Sequence, residues 1–308
     1  VCNVTLALHL AIKALGKIGE IITTPFSFIA SSSSIIWENC VPVFCDIDPY
    51  TLNIDPKYIQ DKITSRTVAI LGVHVFGNPC DIDKIEKIAL DNNLSTIYDG
   101  AQAMGSIYKD KSVFTYGDYS ILSLHAYKIV SSVEGGAIFC ANPDNLETIF
   151  KLRYFGKDEL NRETMLGINA KMNEFNAAYG ILSLGQLYPE LERRAEIASI
   201  YKKNLGEHKK LRFQKIHDDA KPNNSYFPII LQSEALLEKI LHNSSLQSIT
   251  LKRYFYPTIN EMEFLRYDGT LTPYASQVSK QVLCLPIHGA LTNEDVDKVC
   301  QVVLMSLE

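Results

Sequence analysis

The chain lacks a strong excess of either charge. Its 308 residues carry 30 Lys+Arg against 35 Asp+Glu, a formal net charge of −5, and its pI is about 5.9. Such mild acidity argues against a nucleic-acid protein, which ordinarily presents a basic face. Charged residues are few, at 21%, and hydrophobic ones reach 46%, so the chain can bury a large core and wholesale disorder is excluded. No apolar run approaches the roughly 20 residues that cross a bilayer. The longest, such as Gly135 to Ala141, are the size of a strand. Neither G-x-G-x-x-G nor G-x-x-x-x-G-K-[ST] occurs, so a nucleotide-binding loop has no motif to rest on. Glu134-Gly-Gly136 reads as a turn into a strand, not as a phosphate loop. There is no internal repeat and no low-complexity tract; Ser31 to Ser34 is a short serine run inside an expected helix.

The cysteines (Cys2, Cys40, Cys45, Cys80, Cys140, Cys284 and Cys300) are odd in number and none is spaced C-x-x-C. Most stand in apolar, strand-like surroundings, as expected of reduced cysteines serving as small hydrophobes. The histidines do not cluster with them, so no zinc site is expected. The pattern is that of a reducing, cytoplasmic compartment, where the sequon Asn243-Ser-Ser245 is only a surface loop. The chain opens without Met or signal peptide, already inside an ordered-looking element. It is therefore expected to start short of its biological N-terminus.

At about 150 residues per domain, the length suggests two domains. Leu6, Leu8, Leu10, Ile12 and Leu15 predict a helix over 5–15, and further helices are expected at 27–38, from Asp55-Pro56 onward, at 83–92, 144–154 and 173–206. Strands are expected at 20–24, 42–46, 67–75, 94–99, 119–125 and 136–140. The near-continuous apolar run Thr67 to Val75 is what a parallel strand buried on both faces requires. Strands alternating with helices predict an α/β domain with a mostly parallel sheet, over 1–206. Beyond it, strands at 227–231 and 251–254 and helices at 234–242 and 294–305 suggest a smaller α+β domain over 207–308.

In open α/β sheets, ligands sit beyond the carboxyl ends of the strands. Three such ends run into Pro25-Phe-Ser-Phe28, Asp99-Gly-Ala-Gln102 and His125-Ala-Tyr-Lys128. A carboxylate, a lysine and an aromatic ring would converge there. A loop salt bridge between Lys128 and Asp99 is the plain reading. The sharper one is a pyridoxal phosphate site. It needs a lysine to form a Schiff base with the cofactor aldehyde and a carboxylate to keep the pyridine nitrogen protonated. It also needs hydroxyls and amides for the phosphate, ideally at a helix N-terminus, and a ring against the pyridine face.

An ordered set of segments carries a resemblance through nearly the whole chain. They are Cys2-Asn-Val-Thr-Leu-Ala-Leu-His-Leu, Thr23-Thr-Pro-Phe-Ser-Phe-Ile-Ala, Pro42-Val-Phe-Cys-Asp-Ile-Asp48 and Val73-His-Val-Phe-Gly-Asn-Pro79. Ile97-Tyr-Asp-Gly-Ala-Gln102, Ser123-Leu-His-Ala-Tyr-Lys128, Val133-Glu-Gly-Gly136, Gly167-Ile-Asn-Ala-Lys-Met-Asn-Glu174 and Cys284-Leu-Pro-Ile-His288 complete the set. Together they resemble the nucleotide-sugar aminotransferases of the DegT/DnrJ/EryC1/StrS family, pyridoxal-phosphate-dependent transferases of fold type I. The resemblance implies a large domain with a mostly parallel, mixed sheet flanked by helices, followed by a small C-terminal α+β domain. It makes Lys128 the Schiff-base lysine and proton carrier, and Asp99 the partner of the pyridinium nitrogen. Gln102 would lie near the phenolic oxygen and Phe28 on the ring. Thr5 and Ser123, with the amide at Val4, would bind the phosphate. Asn169 would reach it from a partner subunit, which implies a homodimer with shared sites. His125 and the segment Arg253-Tyr-Phe-Tyr256, Arg253 and Tyr256 above all, are weaker candidates for substrate contact; a core strand serves equally well for Arg253 to Tyr256. Family members also carry a few tens of residues before the segment matching Cys2 to Leu8, near the sugar site.

The implied reaction takes nitrogen from L-glutamate and gives it to a nucleotide-linked keto sugar. The segments Asn169 to Glu174 and Arg253 to Pro257 look most like members acting at C4 of dTDP-4-keto-6-deoxy-D-glucose, in deoxyaminosugar, O-antigen and lipopolysaccharide synthesis. Action at C3, action on UDP- or GDP-sugars, and a non-catalytic regulatory protein on the same fold remain open. So does a plain α/β binding protein. The chain departs from the family pattern at Val4 (usually Gly), Leu124 (usually aromatic), Tyr127 (usually small or polar) and Ala170 (commonly Tyr or Gly). Dehydratase members carry His in place of this lysine, and Lys128 argues against that activity.

Overall fold

The computed structural model describes residues 1–206, 208–265 and 270–308. Helix α1 (Val4–Ala14) starts where the Asn3 side chain accepts the Leu6 amide at 2.9 Å, satisfying one of the donors a helix start leaves open. Its Ala7, Leu8, Leu10, Ala11 and Ile12 are buried. Strands β1 (Glu20–Thr23), β2 (Val41–Phe44), β3 (Thr67–Val73) and β4 (Ser95–Asp99) alternate with helices α2 (Ala30–Trp37) and α3 (Ile82–Asp91). A small hairpin of β5 (Ile107–Tyr108) and β6 (Lys111–Ser112) precedes β7 (Tyr119–Ser123) and β8 (Gly136–Cys140). The main sheet runs β2-β1-β3-β4-β7-β8. Only β8 is antiparallel to its neighbour. The expected α/β fold with a mostly parallel mixed sheet is therefore present. The parallel strands β1, β3, β4 and β7 bring their carboxyl ends to one edge.

Helices α4 (Pro143–Arg153), α5 (Glu174–Leu184) and α6 (Leu187–Leu205) follow, then β9 (Leu211–Phe213), β10 (Ala220–Lys221), β11 (Phe227–Leu231), α7 (Glu234–Leu246), α8 (Pro273–Ser279), β12 (Val282–Leu285) and α9 (Asn293–Leu307). Strands β12-β11-β9 form an antiparallel sheet. It shares a core with Ile197 and Tyr201 of α6, Leu237 of α7 and Val299 of α9. Strand β10 instead pairs with β5, and Phe255, Val278 and Val282 join the core of the main sheet.

Several elements differ from the sequence pattern. The helix expected after Asp55-Pro56 is two 3₁₀ turns, Pro56–Tyr58 and Gln60–Lys62. Of residues 56–63 only Ile59 is buried, too little packing to sustain a longer helix. The single helix expected over 173–206 breaks at Gly185-Gln186, where Gly weakens the helix. Pro189 then sits in the first turn of α6, where its missing N–H costs nothing. The strand expected near 251–254 is reduced to one bridge, Lys252 with Cys284. Helix α8 and strands β9, β10 and β12 were not expected as elements, being short and without a period of their own. The seven cysteines are free thiols, and Cys40, Cys45, Cys80, Cys284 and Cys300 are buried.

Asp46, just past β2, ties α8 to the main sheet. Its carboxylate accepts the amides of Ile47 (2.9 Å), Tyr274 (3.0 Å) and Ala275 (2.9 Å). Replacing Asp46 by Ala leaves these partly buried donors without an acceptor. It should lower stability by about 1–3 kcal/mol, with Asp46→Asn in between because one oxygen remains. Urea unfolding measures both, and an unchanged midpoint for Asp46→Ala would show that α8 docks without this contact.

Candidate active site

A cavity of about 560 Å³ opens at the carboxyl edge of the parallel strands, where ligands of such sheets bind. Asn3, Val4 and Thr5 line it from the start of α1, Phe28 from the loop after β1, Val73 from the end of β3 and Asp99 from the end of β4. Gln102 follows in the next turn, and Ser123, His125, Tyr127 and Lys128 come from the end of β7 and its loop. The chain folds this way because each apolar strand stops at a polar or turn-forming residue once it reaches the sheet edge.

Asp99 sits on the cavity floor, 5% exposed. One carboxylate oxygen accepts the Ser31 hydroxyl at 2.8 Å; the other accepts the Ala101 amide at 3.0 Å. Burial pushes its pKa up, and the Ala101 amide, the Ser31 hydroxyl and the Lys128 charge oppose that. The Lys128 amine faces the same cavity, 5.8 Å from the centre of the Tyr226 ring. Its pKa is lowered by burial and partly restored by the Asp99 charge. Burial thus drives both groups toward neutrality, and each charge supports the other. A carboxylate prepared to keep one cation and an amine prepared to lose its proton is a pairing suited to proton transfer.

Gln102 is held by the turn after β3. Its side-chain oxygen accepts the Phe76 amide at 2.6 Å, which leaves the amide nitrogen as the donor still to be used. Phe76 adopts φ 61° to present that amide. Gly77 follows at φ +83°, where a Cβ would lie 2.1 Å from the Asn223 oxygen. Asn223 in turn donates to the carbonyls of Gln102 and Met104, both at 2.8 Å. At the other end of the cavity, Val4 is the first residue of α1, so its backbone is helical, a conformation Val accepts. Asn3 takes the Leu6 and Ala7 amides, which leaves those of Val4 and Thr5 with no acceptor within the helix. With the helix dipole they offer an anion site beside Thr5 and the buried Ser123. Phe28 is 60% exposed on the cavity wall, its ring available for stacking.

These side chains fit pyridoxal phosphate: an anion site at one end, a buried carboxylate, a desolvated amine and a free amide donor between. His125 lines the same cavity, and its Nε2 lies 3.2 Å from Glu134. Three sequence candidates lie elsewhere. Asn169 is exposed and accepts the Lys171 amine at 2.7 Å. Arg253 pairs with Glu234 and, at 2.8 Å, with Glu238; its guanidinium lies 3.4 Å from the centre of the Tyr256 ring. Neither Arg253 nor Tyr256 lines the cavity; their neighbours Tyr254 and Phe255 do. Sequence reasoning missed Tyr226 and Ser31, and reached Tyr254 and Phe255 only as the middle of the segment Arg253 to Tyr256. The aromatic run at 254–256 was the signal for that pair. Nothing in the sequence marked Ser31 as the partner of Asp99, 68 positions away.

A model of the DegT/DnrJ/EryC1/StrS aminotransferase family matches residues 1–304. Over 305 residues the chain is 39% identical to dTDP-4-amino-4,6-dideoxy-D-glucose transaminase of Shigella dysenteriae, an alignment covering 98% of this chain and 83% of that one. It is 32% identical over 312 residues to GDP-perosamine synthase of Escherichia coli O157:H7, again covering 98% and 83%. It superposes on the crystal structure of DesI in the presence of its TDP-sugar product with a TM-score of 0.93 at 30% identity, covering 99% of this chain and 79% of DesI.

Only a neutral amine attacks an aldehyde, so capture of pyridoxal phosphate by Lys128 should rise with pH. Its midpoint should lie below that of an ordinary lysine, because burial lowers the Lys128 pKa. Asp99→Asn removes the charge that raises that pKa, so the midpoint should move lower still. Stopped-flow absorbance over a pH series measures both. An upward shift in Asp99→Asn would contradict the coupling.

Proposed function

The chain belongs to the DegT/DnrJ/EryC1/StrS aminotransferase family, and from that premise we propose that it transfers an amino group from L-glutamate to C4 of dTDP-4-keto-6-deoxy-D-glucose. It is a pyridoxal-phosphate-dependent aminotransferase of nucleotide-linked sugars. The observation that carries the reading in the structure is the convergence of Lys128 and Asp99 on one cavity beside a helix N-terminus. The dTDP and C4 detail is supported by the likeness to the Shigella dysenteriae transaminase. The lower likeness to GDP-perosamine synthase favours a GDP-linked keto sugar as the second reading. Amino sugars of this kind serve deoxyaminosugar and O-antigen assembly.

In this proposal Asp99 holds the protonated ring nitrogen while Ser31 and Ala101 keep its carboxylate aimed. Thr5, Ser123 and the amides at the start of α1 bind the phosphate. Phe28 covers the ring face, and Gln102 donates to the phenolic oxygen. Pyridoxal phosphate, when bound, supplies a ring that takes up the electron pair left when a C–H bond beside nitrogen is broken. Lys128 would hold the cofactor through its aldehyde carbon. Once displaced, its neutral amine removes the proton from the glutamate carbon that bears nitrogen. The same Nζ later delivers a proton to the sugar carbon that receives nitrogen. Tyr226, Tyr254 and Phe255 wall the space and keep water from the amine. His125, near Glu134, is placed to touch the substrate. Arg253 is engaged by two glutamates, so it organises α7 and Tyr256 in this proposal and leaves substrate contact to others.

A homodimer is part of the proposal. Helix α5 has no buried residue, and Phe175, Ile181 and Leu182 on it are 89%, 72% and 74% exposed. Apolar side chains in that number on one helix require a cover, and a second copy would supply it through a two-fold contact. Asn169, exposed in the segment that leads into α5, would then serve the partner's phosphate site. Among the described residues no helix is long and apolar enough to cross a membrane. A cytoplasmic location follows in this proposal from the nucleotide-sugar substrate.

A two-stage assay tests the reaction. Glutamate should convert the loaded enzyme to its amino form, and dTDP-4-keto-6-deoxy-D-glucose should restore the aldehyde absorbance faster than a GDP-linked keto sugar. Lys128→Ala should lose both stages. Turnover by Lys128→Ala, or restoration only by a C3 ketone, would refute the assignment. Sedimentation equilibrium should give twice the chain mass. Phe175→Glu with Leu182→Glu should shift it toward the single chain; an unchanged dimer would place the interface elsewhere.

A further inference from the structure

Helix α5 buries nothing within the chain, yet it holds the loop that carries Lys128. The Asn176 side chain donates to the Glu134 carbonyl at 2.8 Å. The Ser183 hydroxyl accepts the Ser131 amide at 2.9 Å, and the Ser131 hydroxyl accepts the Val133 amide at 2.9 Å. Between these two contacts, one helical turn from each, Gly180 faces buried Ser132; a Cβ there would meet the Ser132 Cβ at 3.1 Å. The single Ser132 hydroxyl proton is shared between the Glu134 carbonyl at 3.0 Å and the Leu124 carbonyl at 3.3 Å. The loop from Lys128 to Gly135 is thus fastened at both flanks of one small residue, and residues outside the cavity set where its amine stands.

We infer that Asn176, Gly180 and Ser183 of α5 are positioning residues for Lys128, holding the loop in the place from which its amine meets the cofactor aldehyde. The inference rests on the cofactor reading above. The amine they place is faced by Asp99 from β4, by Tyr226 and Tyr254 from the C-terminal part of the chain, and by His125, Tyr127 and Glu134 from its own loop. Loosening the loop admits water to this group. Burial is the main influence lowering its basicity, so looser packing returns it toward an ordinary lysine.

Chains are mixed with pyridoxal phosphate over a pH series, trapped with borohydride, and the label on Lys128 is read by peptide mass spectrometry; thermal melts check folding. Asn176→Ala and Ser183→Ala should each label roughly fivefold more slowly, the worth of one ordinary hydrogen bond, with the midpoint moved to higher pH. Ser183→Thr keeps the hydroxyl and should restore both. Gly180→Ala favours the helix but presses on Ser132, so it too should label more slowly with a raised midpoint. Folded Ala variants that label at the wild-type rate and midpoint would overturn the inference. So would wild-type labelling by Gly180→Ala with a raised melting temperature, the result a purely structural role for α5 predicts. If the Ala variants do not fold, Gly180→Ala decides. No label on wild-type Lys128 would instead overturn the cofactor reading beneath it.

Discussion

Placing an amine and a carboxylate together in a desolvated cavity is the constraint on which this structure turns. Taking either charge out of water unaided costs several kcal/mol. Asp99 offsets that with the Ser31 hydroxyl and the Ala101 amide, one for each oxygen. Lys128 meets it by becoming easier to deprotonate, which is the state its chemistry uses. Both depend on a rigid frame. The parallel strands set the height of Asp99, and Ser31 reaches it only because α2 packs its serine face inward, with Ser31, Ser32 and Ser34 buried.

The cavity is walled by rings that belong to the core of the main sheet. Phe26, Phe76 and Phe255 lie with ring centres 5.6 to 6.1 Å apart, and Phe76 also meets Tyr226 at 5.6 Å. Offset and edge-on rings of this kind add to the plain burial of their area. Beside them runs a polar seam. Asn53 donates to the Asn78 and Pro79 carbonyls, Asn78 to those of Thr51 and Lys215, and Asn223 to those of Gln102 and Met104. Buried amides satisfied in this way define one arrangement of the loops, because a shifted loop would leave several of them unpaired. The left-handed backbone at Phe76 and Gly77 is held by that network and delivers the amide that orients Gln102.

Much of this was legible in the sequence for a local reason. An apolar run such as Thr67 to Val75 can hardly be anything but a buried strand, although β3 stops at Val73, two residues sooner, and the residue after such a run must lie near the sheet edge. Phe28, Asp99, Gln102, His125 and Lys128 were therefore placed by counting from strand ends, Ser123 was added by the resemblance alone, and the cavity gathers all of them. What counting missed depends on distant partners. The 3₁₀ turns at 56–62 look like a helix start because the Asp55-Pro56 signal is local, whereas continuation depends on what the turn packs against. Tyr254 and Phe255 line the cavity and Tyr256 does not, because the chain leaves the sheet after one bridge at Lys252. An alternating strand pattern has no means of showing that departure.

The sequence by itself determined the periods, the stops and the chemistry-bearing side chains: which segments alternate as strand and helix, and that an ordered set of motifs sets a lysine and an aspartate at strand ends. These follow from spacing along the chain, where propensity and burial pattern act within a few residues. Only the tertiary structure decided which hydroxyl stands on Asp99 and which rings face Lys128. It also decided that Arg253 is taken by Glu234 and Glu238, and that α5 reaches back to fasten the lysine loop. Each of these is a contact between segments far apart in the chain. Its existence depends on how those segments pack against one another, and packing is a property of the folded whole.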